Sequence, residues 1–221
     1  MYQHLDQQGQ LIALPAAKAV CVGQNYLDHM QEMGGAPVKQ AVFFIKPNSA
    51  FVNFSEQLAI PANKGEVHYE LELALLINKP LKNATPEQLD DAVWGYALAL
   101  DLTLRDIQLQ LKQRGHPWER AKAFDNSCVL SAFKPLNSLT ELNQVDLALS
   151  QNGKLKQQGN TSQMIRDLQQ LLCEASSCFS LMPGDVLLTG TPAGVGPLHA
   201  GDQLAMNVAD ISVNTEVVVS E

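Results

Sequence analysis

The chain has 221 residues, 46% hydrophobic and 17% charged, enough apolar material for a sizeable core and not the composition of a disordered chain. Its formal net charge is −8, and no Lys or Arg cluster exceeds a pair, so nucleic acid is excluded as a partner because phosphate contacts need clustered cations. No apolar run can span a bilayer, the start MYQHLDQQGQ is no signal peptide, and Cys21, Cys128, Cys173 and Cys178 fit no zinc spacing, so a cytoplasmic protein with reduced thiols is expected.

A short N-terminal arm, residues 1–18, precedes strand-like runs at Ala19–Val22 and Val42–Ile45. Val67–Ile77 reads as one long strand. Thr85-Pro86-Glu87-Gln88 is a capping box that starts a helix over Leu89–Val93, and Trp94–Leu100 follows as a buried strand. Thr103 is expected to cap a helix through Ile107 and Leu111, with Gly115 ending it. Asp146–Gln151 is another strand, and Thr161 or Ser162 should cap a helix with Ile165, Leu168, Leu172 and Ala175 along one face. Asp185–Thr189, Gln203–Val208 and Ser212–Val219 complete the set, behind turns at Pro183-Gly184-Asp185 and Gly201-Asp202. Many strands with a few inserted helices and no linker predict one α+β domain dominated by sheet.

Side chains alternate along a strand, so Glu70 and Glu72 point the same way while Tyr69, Leu71, Leu73, Leu75 and Ile77 fill the other face. Two neighbouring carboxylates repel; a cation between them, or solvent around them, removes the penalty. Asp101 tips the balance towards a cation, because it ends a buried strand where a lone acid suits a third ligand. An all-carboxylate set favours hard cations such as Mg²⁺ or Mn²⁺.

Arg105 and Gln108 follow Asp101 by four and seven residues, along one helical face, and Lys122 lies beyond them. His29 and Glu32, three apart, would meet on a helix, where the carboxylate orients the imidazole and raises its basicity. Gly34-Gly35 then supplies a joint, so Tyr26 to about Val38 is expected to form a flap. The glycine-rich run 187–196 lacks the Gly-Lys-Ser/Thr ending of a phosphate loop. Thr191 within it either grips a substrate carboxylate or belongs to a tight turn.

These segments together resemble the fumarylacetoacetate hydrolase family, in particular its acylpyruvase and oxaloacetate decarboxylase branch. The carriers are Gly23-x-Asn25-Tyr26-x-x-His29-x-x-Glu32, Phe44-Ile45-Lys46-Pro47, His68-Tyr69-Glu70-Leu71-Glu72, the run from Leu100 to Asp106, Lys122-Ala123-Phe124-Asp125, and Gly190-Thr191-Pro192-x-Gly194-Val195-Gly196. The resemblance implies a mixed β-sandwich roll, a homodimer, Glu70, Glu72 and Asp101 as Mg²⁺ or Mn²⁺ ligands, and His29 with Glu32 as a water-activating dyad. It implies that Lys122, Arg105 and Gln108 stabilise developing negative charge and that Thr191 contacts substrate. The implied reaction is cleavage of a carbon–carbon bond in a 2-keto acid through a pyruvate enolate: acylpyruvate hydrolysis, with oxaloacetate decarboxylation beside it. Isomerisation or decarboxylation of unsaturated 2-oxo dioates is the alternative. Gln24 departs from the family's pattern, since many relatives carry a basic or small polar residue there.

Overall fold

The computed structural model describes residues 2–34 and 39–220. In chain order its strands begin β1 (Lys18–Gly23), β2 (Val42–Pro47), β3 (Phe51–Asn53), β4 (Gln57–Pro61), β5 (Val67–Tyr69), β6 (Leu71–Ile77), β7 (Val93–Asp101) and β8 (Thr103–Leu104). They continue with β9 (Cys128–Leu130), β10 (Lys134–Pro135), β11 (Asp146–Gln151), β12 (Lys154–Asn160), β13 (Val186–Leu188), β14 (Gly196–Pro197), β15 (Gln203–Val208) and β16 (Ile211–Ser220). The helices are α1 (Leu27–Glu32), α2 (Leu89–Ala92), α3 (Arg105–Arg114), α4 (Glu119–Lys122) and α5 (Leu168–Cys178). This is the expected mainly-β roll with inserted helices.

An eight-stranded sheet runs β2-β1-β13-β6-β7-β9-β3, with β10 also paired to β7. A five-stranded sheet runs β12-β11-β15-β16-β4, and a small one runs β14-β5-β8. Every residue of β6 is buried, so both of its faces are covered. Leu71, Leu73, Leu75 and Ile77 enter the larger core between the sheets; Ala74 and Leu76 enter a second core on the other face. There Ala19, Ala97 and Ala99 keep the layer thin, and Tyr2, Ile12, Leu14 and Ala16 of the N-terminal arm pack over it. His4 of the arm is fully buried. Its Nδ1 accepts from the Tyr2 hydroxyl at 3.1 Å and its Nε2 donates to the Gly184 carbonyl at 3.0 Å.

Three expectations need correction. The run Val67–Ile77 is two strands, because β5 pairs with β14 and β8 while β6 pairs with β13 and β7, and the chain changes sheet at Glu70. Thr103 caps no helix: it lies in β8, and α3 begins at Arg105 after Leu104 with no side-chain cap. Gly115 does end α3, in the left-handed conformation at φ 65°. Thr161 and Ser162 form a single 3₁₀ turn capped by Asn160, and the third helix starts at Leu168 under an Asp167 capping box. Ile165 therefore stays outside that helix and exposed, whereas Leu168, Leu172 and Ala175 are buried.

Candidate metal and active site

The site lies where the chain twice crosses between the small sheet and the large one. Leu71 pairs with Leu100, and one step outwards the Asp101 amide donates to the Glu70 carbonyl at 2.9 Å. Glu70 and Asp101 thus occupy facing positions at the exits of β5 into β6 and β7 into β8, with Glu72 one pleat inwards. Facing and diagonal residues of such a pair share a face. One carboxylate oxygen from each lies within 4.8 Å of the others, and all three residues are buried.

The cations around this cluster are unequally shared. Lys122 donates to Glu70 Oε2 at 2.9 Å, Asp101 Oδ2 at 2.6 Å and Thr103 Oγ1 at 2.7 Å, which uses all three of its protons. Arg105 donates through Nη2 to Glu70 Oε1 and through Nη1 to Gln108 Oε1, the latter at 2.6 Å. Burial alone would raise the Glu70 carboxyl, but Lys122 and Arg105 outweigh it and hold it well below the usual range. Burial would likewise lower Lys122, and Asp101 and Glu70 raise it instead.

Among the described residues Glu72 has no such partner. Its Oε2 accepts one backbone hydrogen bond, from Gly190 at 2.7 Å, and burial followed by Asp101 and Glu70 pushes its carboxyl far above the ordinary range. Gly190 reaches it from φ 95°, a conformation glycine adopts without a Cβ penalty. Asp101 Oδ1 is a second anomaly. Lys46 Nζ lies 2.8 Å away, yet Lys46 directs its protons to the carbonyls of Leu102, Lys122 and Ser127, so Oδ1 is buried without a hydrogen bond. A buried acid that resists ionisation beside an unsatisfied carboxylate oxygen is what a divalent cation would relieve, so the donor set fits a hard cation.

A cleft of about 400 Å³, including its open mouth, exposes the cluster. Of the nine residues predicted for the site, His29, Glu70, Glu72, Arg105, Gln108, Lys122 and Thr191 line it. Asp101 lies behind them in the carboxylate cluster. Glu32 stands behind His29, accepting from its Nδ1 at 3.0 Å, so the two meet on α1 as their spacing predicted. Gly194 N–H, at 3.1 and 3.2 Å, holds Glu32 from the glycine-rich loop. Asn25 anchors the start of α1, donating to the Thr189 and Arg166 carbonyls and accepting from the Arg166 amide. Residues 35–38 of the expected flap lie outside the described residues.

Thr191 is buried, and its hydroxyl donates to the Leu71 carbonyl at 2.7 Å and accepts from Gln157 at 2.8 Å. The same Gln157 accepts from the Leu71 amide at 2.9 Å, tying the loop to the start of β6. Sequence reasoning left Gln157 out, because Lys154–Asn160 is too polar to read as a strand, and left Lys46 out as a site residue although its motif was noted. A lysine alone between apolar strand residues was the available signal for Lys46.

The fumarylacetoacetate (FAA) hydrolase C-terminal family model matches residues 18–219. Over 219 residues the chain is 49% identical to oxaloacetate tautomerase YcgM of Escherichia coli K12, covering 99% of this chain and all of that one. It is 37% identical over 200 residues to a mitochondrial oxaloacetate decarboxylase of Dictyostelium discoideum, covering 90% of this chain and 92% of the relative. The crystal structure of fumarylpyruvate hydrolase from Pseudomonas aeruginosa, in complex with Mn²⁺ and pyruvate, superposes with a TM-score of 0.91 at 32% identity, covering 99% of this chain and 96% of that one.

Proposed function

Because the chain belongs to the fumarylacetoacetate hydrolase family, we propose that it is a divalent-cation-dependent enzyme that enolises a 2-keto acid, with oxaloacetate keto–enol tautomerisation as its first activity. One observation carries the reading: a three-carboxylate cluster and an oriented His–Glu pair open onto the same cleft. Glu70, Glu72 and Asp101 would hold Mg²⁺ or Mn²⁺, which when bound supplies Lewis-acid polarisation of a keto oxygen.

The residues supply the rest. Glu32 accepts from His29 Nδ1, which in the neutral imidazole places the proton on Nδ1 and leaves Nε2 as the nitrogen that would take a proton from substrate C3. Gly194 and Asn25 keep that pair in place by holding Glu32 and the start of α1. Gln108 spends its oxygen on Arg105 and keeps its amide hydrogens for a substrate oxygen, and Arg105 keeps a buried Nε without a partner among the described residues. Lys122 contributes mainly as charge, since a direct bond to substrate would require it to release one of three acceptors. Thr191, its hydroxyl engaged on both sides, would contact substrate from the cleft wall. The family match over nearly the whole chain supports a single catalytic domain behind the arm, and a homodimer belongs to the same reading.

Acylpyruvate hydrolysis is the second reading, favoured by the likeness to fumarylpyruvate hydrolase. There His29 would activate water instead of taking a C3 proton. Oxaloacetate decarboxylation, which needs no water, is the third outcome available to the same residues. Ultraviolet absorbance of enol-oxaloacetate, followed with purified protein and Mg²⁺, tests the first reading. Equilibration faster than in buffer, lost to EDTA and restored by Mg²⁺ or Mn²⁺, is expected; equilibration at the buffer rate would refute it, and parallel assays with acetylpyruvate and fumarylpyruvate test the second.

A further inference from the structure

Three cations lie beside the three carboxylates, and each is already matched: Lys122 with Glu70 and Asp101, Arg105 with Glu70, and Lys46 with Asp101. Lys112 is different. It lines the same cleft, is partly buried, and its side chain has no ion-pair or hydrogen-bond partner among the described residues. An ammonium in a partly desolvated wall, with no protein anion to answer it, favours an anionic ligand group.

Its position is informative. Arg105, Gln108 and Lys112 follow one another at spacings of three and four on α3, so one helical face carries all three past the cleft. Seven residues separate Arg105 from Lys112, about 10 Å along the axis. Long helical side chains lean back towards the N-terminus, which brings the Lys112 stem over Gln108 and towards the carboxylates. Trp118 lines the same cleft, packed on the Phe44 ring at 5.9 Å. Gln24 lines the cleft too, at φ 62°, a left-handed conformation that costs a non-glycine residue energy. Such strain persists only where the surroundings impose it, and Asn25, next in the chain, is fixed by three hydrogen bonds. The cleft therefore carries on its walls both the carboxylate cluster and an unanswered ammonium, with the Gln24 amide beside them in the lining.

We propose that Lys112, assisted by Gln24, binds the distal carboxylate of the substrate and so selects 2-oxo dicarboxylates over 2-oxo monocarboxylates. The inference rests on the keto-acid reading above and narrows its substrate class. Calorimetry at saturating Mg²⁺ with 2-oxoglutarate and 2-oxopentanoate isolates the effect, because these five-carbon 2-oxo acids differ only in a terminal carboxylate against a methyl. Wild type should bind the dioate about 10-fold tighter or better, the worth of a charged hydrogen bond. Lys112→Gln should bring that preference close to unity, and Lys112→Arg should keep most of it. No dioate preference in wild type, or a preference that survives Lys112→Gln, would overturn the proposal. Oxalate, with only two carbons, is the control. If Mg²⁺–oxalate binds but the dioate preference is missing, Lys112 alone is misassigned; if oxalate fails to bind as well, the keto-acid reading falls with it.

Discussion

At the scale of single residues, the three carboxylates are not equivalent. Glu70 and Asp101 are ion-paired to buried cations, whereas among the described residues Glu72 has only the Gly190 amide. Glu72→Gln should therefore raise the melting temperature of the cation-free protein by relieving a buried acid that resists ionisation. Asp101→Ala should lower it, at a cost of about 3–5 kcal/mol in stability, because Lys122 and Lys46 lose their shared counter-ion. Thermal or denaturant unfolding in EDTA would check the opposite signs, and a shift in the same direction for both would contradict the charge assignment. His29→Ala separates the reactions. Tautomerisation and hydrolysis need a base, so each should fall by about 10²–10⁴-fold, while decarboxylation should fall less. Equal losses in steady-state assays of all three would remove His29 from the base role.

At the scale of elements, the glycine-rich loop and α1 act together. Gly194 is at φ 100°, and a Cβ there would lie 1.9 Å from the Lys156 carbonyl, so Gly194→Ala must shift the loop and withdraw its amide from Glu32. Cation affinity should persist while tautomerase activity falls towards the level of Glu32→Ala; an intact rate in Gly194→Ala would show that Glu32 needs no such support. Much of this was legible beforehand. Alternation showed Glu70 and Glu72 sharing a face, and an i, i+3 spacing paired His29 with Glu32. The sheet change at Glu70 was not legible, because an unbroken apolar pattern looks the same whether one sheet or two receives it. Nor was β12, an edge strand written Lys-Leu-Lys-Gln-Gln-Gly-Asn, since an edge needs little apolar surface and charge protects it from further pairing. Thr103 misled for a related reason. Its hydroxyl donates to the Asp101 carbonyl and accepts from Lys122, so a residue suited to capping serves the site instead.

At the scale of the whole molecule, the N-terminal arm packs over the second core and is tied down through His4. Burial lowers the His4 pKa, so the folded arm holds it neutral. The unfolded chain takes up a proton first as pH falls below the ordinary value of 6.5, so stability present above that value is lost as acidification proceeds towards the lower folded pKa. His4→Gln should flatten that part of the pH–stability profile, and an unchanged acid slope in thermal melts would place the sensitivity elsewhere. The account as a whole stands on one buried cluster. Calorimetric titration of Mn²⁺ into the cation-free protein and into Glu72→Gln tests it most directly. One Mn²⁺ per chain in wild type, with binding lost in the variant, is the predicted result; no binding in wild type, or undiminished affinity without the Glu72 carboxylate, would contradict it.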